Sequence, residues 1–118
     1  MNLKLILQKA NACITAGDHE GFLDFCTPDT YWTFVGDRTL KGIDEVRAYM
    51  SEAYKEPPRF EVTLMIEEGN YLTAMGKISL LSEDTEWTEY EYCDVWRFEN
   101  GKLAELKAFV LSLSKYKS

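Results

Sequence analysis

The chain has 118 residues, 46% of them hydrophobic and 14% aromatic, enough for one core with a cavity and too few for two ordinary domains. Its formal net charge of −7 repels phosphate backbones and anionic headgroups, so neither nucleic acid nor a membrane surface is an expected partner. Residues 1–118 therefore read as a single domain.

Leu3, Ile6, Leu7, Ala10 and Ile14 recur at helical spacing and predict a first helix. Gly17 stops it, and Asp18 caps a second helix from about His19 to Cys26, ended by Pro28. His19 reads as a solvated helix-start residue. Thr30 to Val35 is β-branched and aromatic throughout, the composition of a buried strand. Gly36 to Gly42 reads as a polar loop. A third helix from Ile43 turns Ile43, Val46, Met50 and Ala53 inward, flanked by Tyr49 and Tyr54, and Pro57-Pro58 ends it. A meander follows. Phe60, Val62, Leu64 and Ile66 alternate with Glu61, Thr63, Met65 and Glu67 and are expected on one face, Glu68-Gly69-Asn70 turns the chain, and Tyr71 to Leu81 returns. After a polar turn over 82–86, a long strand from Trp87 to Glu99 pairs through Asn100-Gly101 with a last arm carrying Leu103, Leu106, Ala108, Val110 and Leu111. The tail over 112–118 is expected to fray.

The long strand carries the main chemical signal. On one face it places Tyr90, Tyr92, Asp94, Trp96 and Phe98, a carboxylate within a row of aromatics. A buried carboxylate must be paired, solvated by a cavity or protonated, and this setting points to a cavity. Asp94 is the candidate catalytic residue, a donor when protonated and a base when ionised. The competing reading is an aspartate satisfied by a hydroxyl, a backbone N–H or water. Candidate ligand-binding residues are Tyr90, Tyr92 and Trp96 on the same face, with Tyr31 and Thr33 on the first strand. The opposite face interleaves Trp87, Cys93 and Val95 with Glu89, Glu91 and Arg97, a composition suited to a dimer contact.

Cys13, Cys26 and Cys93 cannot all pair within one chain and lie in no metal-ligand spacing, and His19 is the single histidine. No metal site and no cofactor is expected. The opening Met-Asn-Leu-Lys-Leu-Ile-Leu is interrupted by Gln8, Lys9 and Asn11, too early for an export signal, so a cytoplasmic setting is expected.

Element order and three local patterns resemble the SnoaL-like and ketosteroid-isomerase-like branch of the nuclear transport factor 2 (NTF2-like) superfamily. The patterns are Ala16-Gly17-Asp18 before Phe22-Leu23, Leu40-x-Gly42 before Glu45-Val46, and Asp94-Val-Trp-Arg-Phe98 with Gly101-Lys102. The resemblance implies an α+β, cystatin-like cone, a curved antiparallel sheet wrapped over three helices of the N-terminal half, with an elongated apolar pocket and a homodimeric habit. It also implies that Asp94 matches the acid that donates to a substrate oxyanion in steroid isomerases. The position of their general base falls at Thr33 or Phe34 and that of their tyrosine at Ala10, so steroid isomerisation itself is not expected. The acidic residues of related cyclases and epoxide hydrolases also find no match, since Glu105 and Lys107 are expected to point outward.

The expected function is binding of a small, largely apolar, oxygen-bearing molecule; whether it is an enzyme stays open, and any chemistry would be cofactor-free acid/base work of an isomerase, dehydratase or cyclase type. Two alternatives stand beside it, a non-catalytic small-molecule carrier and a protein-interaction adaptor. An open pocket would favour binding or catalysis, and one packed shut by Tyr90, Tyr92 and Trp96 would favour the adaptor.

Overall fold

The structure is a computed structural model that describes residues 2–82 and 84–113. Helix α1 spans Leu3–Thr15, with the Asn2 side chain accepting the Leu5 N–H at 3.0 Å, a cap that also suits the helix dipole. Gly17, at φ +74°, turns the chain, and Asp18 Oδ1 accepts the Gly21 N–H at 2.9 Å to start α2, His19–Leu23. Strands β1 (Cys26–Phe34) and β2 (Arg38–Lys41) lead into α3, Ile43–Ala53. The remainder is β3 (Arg59–Glu68), β4 (Tyr71–Leu81), β5 (Trp87–Glu99) and β6 (Lys102–Ser112). No helix is long and apolar enough to cross a membrane among the described residues.

One six-stranded sheet runs in the order β2-β1-β6-β5-β4-β3. Its concave face holds the core. Leu3, Leu7, Ala10 and Ile14 of α1, Phe22 and Leu23 of α2, and Val46 and Met50 of α3 close against Trp32, Leu72, Trp96, Phe98, Leu103 and Leu106. Burying one such aliphatic side chain is worth roughly 1.5–3 kcal/mol, so this apolar lining supplies the main drive for closing the bowl.

Four expectations need correction. The sheet is mixed, because β1 pairs in parallel with β6 while every other pair is antiparallel. That pairing joins distant segments, which local patterning does not reveal. The second helix stops at Leu23, and Phe25 instead accepts the Leu103 N–H at 2.7 Å, drawing Cys26 and Thr27 into β1. The expected loop over Gly36–Gly42 contains β2, which pairs with β1 through Leu40↔Trp32 and Arg38↔Phe34. Finally, Leu64 and Ile66 face outward. A bulge between Val62 and Leu64 shifts the register by one, so Met65 takes the inward place and packs on the core. The bulge coincides with Gly76 on β4, where a Cβ would lie 1.9 Å from the Glu61 carbonyl oxygen.

The turn after β5 is as expected, with Asn100 and Gly101 both at positive φ. Ser112 belongs to β6, and the rest of the expected frayed tail lies largely outside the described residues. The three cysteines are free thiols, far from any ligand-spaced cluster.

Candidate ligand-binding site

Residues paired across the sheet project from the same face, so the concave surface can be read rung by rung. The deepest rung, Trp32–Leu106–Trp96–Leu72, is packed shut, each residue 5% exposed or less. Trp32 meets Trp96 edge to face at 5.6 Å and Phe22 at 5.9 Å, an arrangement favoured by the ring quadrupoles. The Trp32 Nε1–H has no acceptor among the described residues and sits within this aromatic cluster.

The next rung changes character. It reads Phe34–Ala108–Asp94–Ala74–Met65, so Asp94 has an alanine on each neighbouring strand. A bulky pair there would fill the bowl; two methyl groups leave it hollow. The following rungs carry Val110–Tyr92–Gly76, where the Tyr92 hydroxyl reaches over the glycine, and Tyr90–Ile78–Phe60. Leu7, Asn11 and Ile14 of α1, Phe22 of α2, and Tyr49, Ala53 and Tyr54 of the α3 region roof the space. The result is a cavity of about 480 Å³, within the usual range for small-molecule sites. Its mouth is marked by the exposed residues Val35, Asp37, Arg38 and Val110.

The electrostatics follow from this burial. Desolvation pushes the Asp94 carboxyl up to about 7, and no hydrogen bond or cation offsets it among the described residues. Near neutrality the group is thus divided between acid and carboxylate. Burial also raises the Tyr49, Tyr54 and Tyr92 hydroxyls, Tyr92 to about 12, and the charge of Asp94 adds to the rise in each. All three remain neutral donors at pH 7. The Tyr49 and Tyr54 rings meet edge to face, their centroids 5.9 Å apart. One titrating carboxyl among neutral hydroxyls can donate to a carbonyl, accept a proton, or do each in turn.

Asp94, Tyr90, Tyr92 and Trp96 are brought together around the cavity as the sequence suggests. Tyr31 and Thr33 are not. They pair with Glu105 and Lys107 on the convex face, while their neighbours Trp32 and Phe34 line the cavity. A strand that is β-branched and aromatic on both faces offers no clear alternation from which to choose a face; the pairing with β6 decides it. Tyr49, Tyr54 and Arg38 were not singled out as site residues. Tyr49 and Tyr54 flank the inward stripe of α3, and that flank is where helix and sheet part to form the cavity. Among the described residues no three His, Cys, Asp or Glu side chains converge as a metal site would require.

A family model for the SnoaL-like domain matches residues 7–106. The chain belongs to the SnoaL-like domain family. No curated protein matches this SnoaL-like domain by sequence. Solved structures share its fold at low identity. An NTF2-like protein of unknown function from Burkholderia pseudomallei K96243 superposes with a TM-score of 0.80 at 23% identity, covering 92% of this chain and 89% of that one. The Δ5-3-ketosteroid isomerase of a Mycobacterium species gives 0.79 at 12% identity, covering 90% of each chain. SalBIII, an epoxide hydrolase/cyclase-like enzyme of pyran ring formation in salinomycin, gives 0.84 at 16%, covering 92% and 89%. These likenesses establish the NTF2-like fold of the SnoaL-like domain.

Proposed function

We propose that the cavity receives a small, largely apolar molecule bearing an oxygen acceptor, and that Asp94 is the group that exchanges a proton with it. The observation that carries this reading is the hollow rung: a carboxyl held near neutrality, alanines on both sides, facing open space lined by neutral tyrosine hydroxyls. Ionised, Asp94 accepts a proton from carbon beside a carbonyl, while a tyrosine hydroxyl stabilises the developing oxyanion. Protonated, it returns that proton to carbon or oxygen. The sequence of transfers is balanced without any other reactant and amounts to isomerisation; dehydration and cyclisation draw on the same two roles. The fold shared with a ketosteroid isomerase supports this class of chemistry as an analogy.

Deuterium exchange at the α-carbon of a bulky ketone tests the proposal, with α-tetralone as probe and NMR as readout. Wild-type protein should accelerate exchange over buffer, with a rate that rises through about pH 7, and Asp94→Asn should bind the ketone yet give only the buffer rate. Equal rates for the two proteins would reduce the site to binding without turnover. That second reading has its own support, since Asp94 is the one interior carboxyl of the cavity among the described residues and Asp37 sits exposed at the mouth.

We infer further that a second copy of the chain covers the convex face. Leu64, Ile66, Met75, Phe109 and Leu111 stand there between 41% and 56% exposed, on β3, β4 and β6. Such a face, rimmed by the Arg97–Glu105 pair at 3.0 Å, has the apolar centre and polar edge of a protein contact.

A further inference from the structure

The cavity has two polar ends, and a single rung of the sheet joins them. Asp94 stands on β5, Ala108 beside it on β6, Phe34 next on β1, and Arg38 on β2 at the sheet edge. The shared face of a rung directs Arg38 to the same concave side as Asp94, and both line the cavity. Three strand spacings separate them, about 14 Å along the sheet and less across the bowl.

Arg38 is the one cation lining the cavity among the described residues. Its guanidinium lies over the Tyr49 ring, 5.7 Å from the centroid, which holds the group at the mouth. Its Nε stands 3.5 Å from Asp37 Oδ2, an ion pair longer than an ordinary hydrogen bond. Two of the other three arginines each bridge two carboxylates. Arg47 bridges Glu20 and Asp44, Arg97 bridges Glu99 and Glu105, and Arg59 stacks on Trp87 at 3.8 Å. In a chain with 20 acidic and 13 basic residues, a guanidinium left half-engaged at the mouth of an apolar cavity is a ready seat for a ligand's anion.

We propose that Arg38 is a specificity-determining residue, and that the cavity takes an elongated, largely apolar molecule with an acceptor oxygen at one end and an anionic group at the other. The oxygen lies beside Asp94, the apolar body rests on Phe34 and Ala108, and the anion meets the Arg38 guanidinium. This inference rests on the reading of the cavity as a ligand site.

A matched probe pair separates the two claims: para-carboxychalcone, a rigid aromatic enone with a carboxylate at its far end, and its uncharged methyl ester. Binding is read by quenching of tryptophan fluorescence, since Trp32 and Trp96 line the cavity. Wild-type protein should bind the acid about fivefold more tightly than the ester, a modest preference because the mouth is solvated. Arg38→Gln, an exposed change that leaves the core untouched, should bring the ratio to about one and leave the ester's affinity within about twofold. An acid preference that survives Arg38→Gln, or its absence in the wild type while both probes bind, would overturn the role of Arg38 and leave the cavity reading standing. If neither probe quenches, the cavity reading fails and this inference with it.

Discussion

The two faces of one sheet have been given opposite tasks by the same strands. On β5 the concave side carries Tyr90, Tyr92, Asp94 and Trp96 around a hollow, while the convex side carries Glu89, Glu91, Cys93, Val95 and Arg97. Apolar surface is present on both sides and means different things. Inside, aromatic rings enclose a carboxyl and raise its affinity for protons; outside, Ile66 and Leu111 stand more than half exposed, with nothing over them among the described residues. Burial, and not hydrophobicity, separates a chemical site from a contact surface.

Neighbouring residues break this comparison most sharply. Trp96→Ala removes a ring buried to 5% and should cost about 3–5 kcal/mol in urea unfolding, whereas Arg97→Ala, one residue on, gives up partly exposed ion pairs and should cost under about 1 kcal/mol. Comparable losses would mean that the convex face is as essential to the fold as the concave one.

The next effect depends on pH. Asp94 has a folded pKa near 7 against an ordinary value of 3.8, so between about pH 4 and 7 the unfolded chain releases a proton that the folded protein keeps. Wild-type stability should therefore fall across that window relative to Asp94→Asn, which has no proton to lose. Below pH 4 both states are protonated and the penalty disappears. Each unit of raised pKa is worth about 1.4 kcal/mol, so the difference should reach on the order of 3 kcal/mol above pH 7, allowing for screening through the open mouth. Paired urea titrations measure it, and a difference independent of pH would contradict a desolvated Asp94.

On the convex side, Val95→Glu places a charge where a second copy would have to desolvate it. The dimer should weaken at least about tenfold by sedimentation while the monomer keeps its fold. A wild-type chain that stays monomeric at all concentrations would remove the dimer. Smaller still is the expected contrast on β1. Phe34→Ala should weaken a ketone probe, and Tyr31→Ala should leave its affinity within about twofold, since Tyr31 faces away from the cavity.

Much of this was legible in the sequence, for physical reasons that also mark its limits. Asp94 stood out because β5 alternates, and a carboxylate in phase with aromatics conflicts with dry burial. The Asn100-Gly101 turn and the Asp18 cap rest on local backbone chemistry and appear as expected. Tyr31 and Thr33 are hard to place from sequence because the strand around them is β-branched and aromatic on both sides, and its orientation is set by a parallel pairing with a segment over seventy residues away. Leu64 and Ile66 face outward beyond a bulge that coincides with the close approach of Glu61 to Gly76, a feature spread over two strands at once. Arg38 reads as a solvent-facing loop residue in the sequence, because a four-residue strand is too short to show a period.

The central claim is that the Asp94 carboxyl is held near neutrality by the cavity it faces. Carboxyl-carbon NMR titration of the wild-type protein, with Asp94→Asn identifying the resonance, tests it directly. A midpoint of about 7 is predicted. A midpoint below the ordinary aspartate value of about 3.9, accompanied by a destabilised Asn variant, would show an ionised carboxylate satisfied by donors, and Asp94 would then be a structural residue.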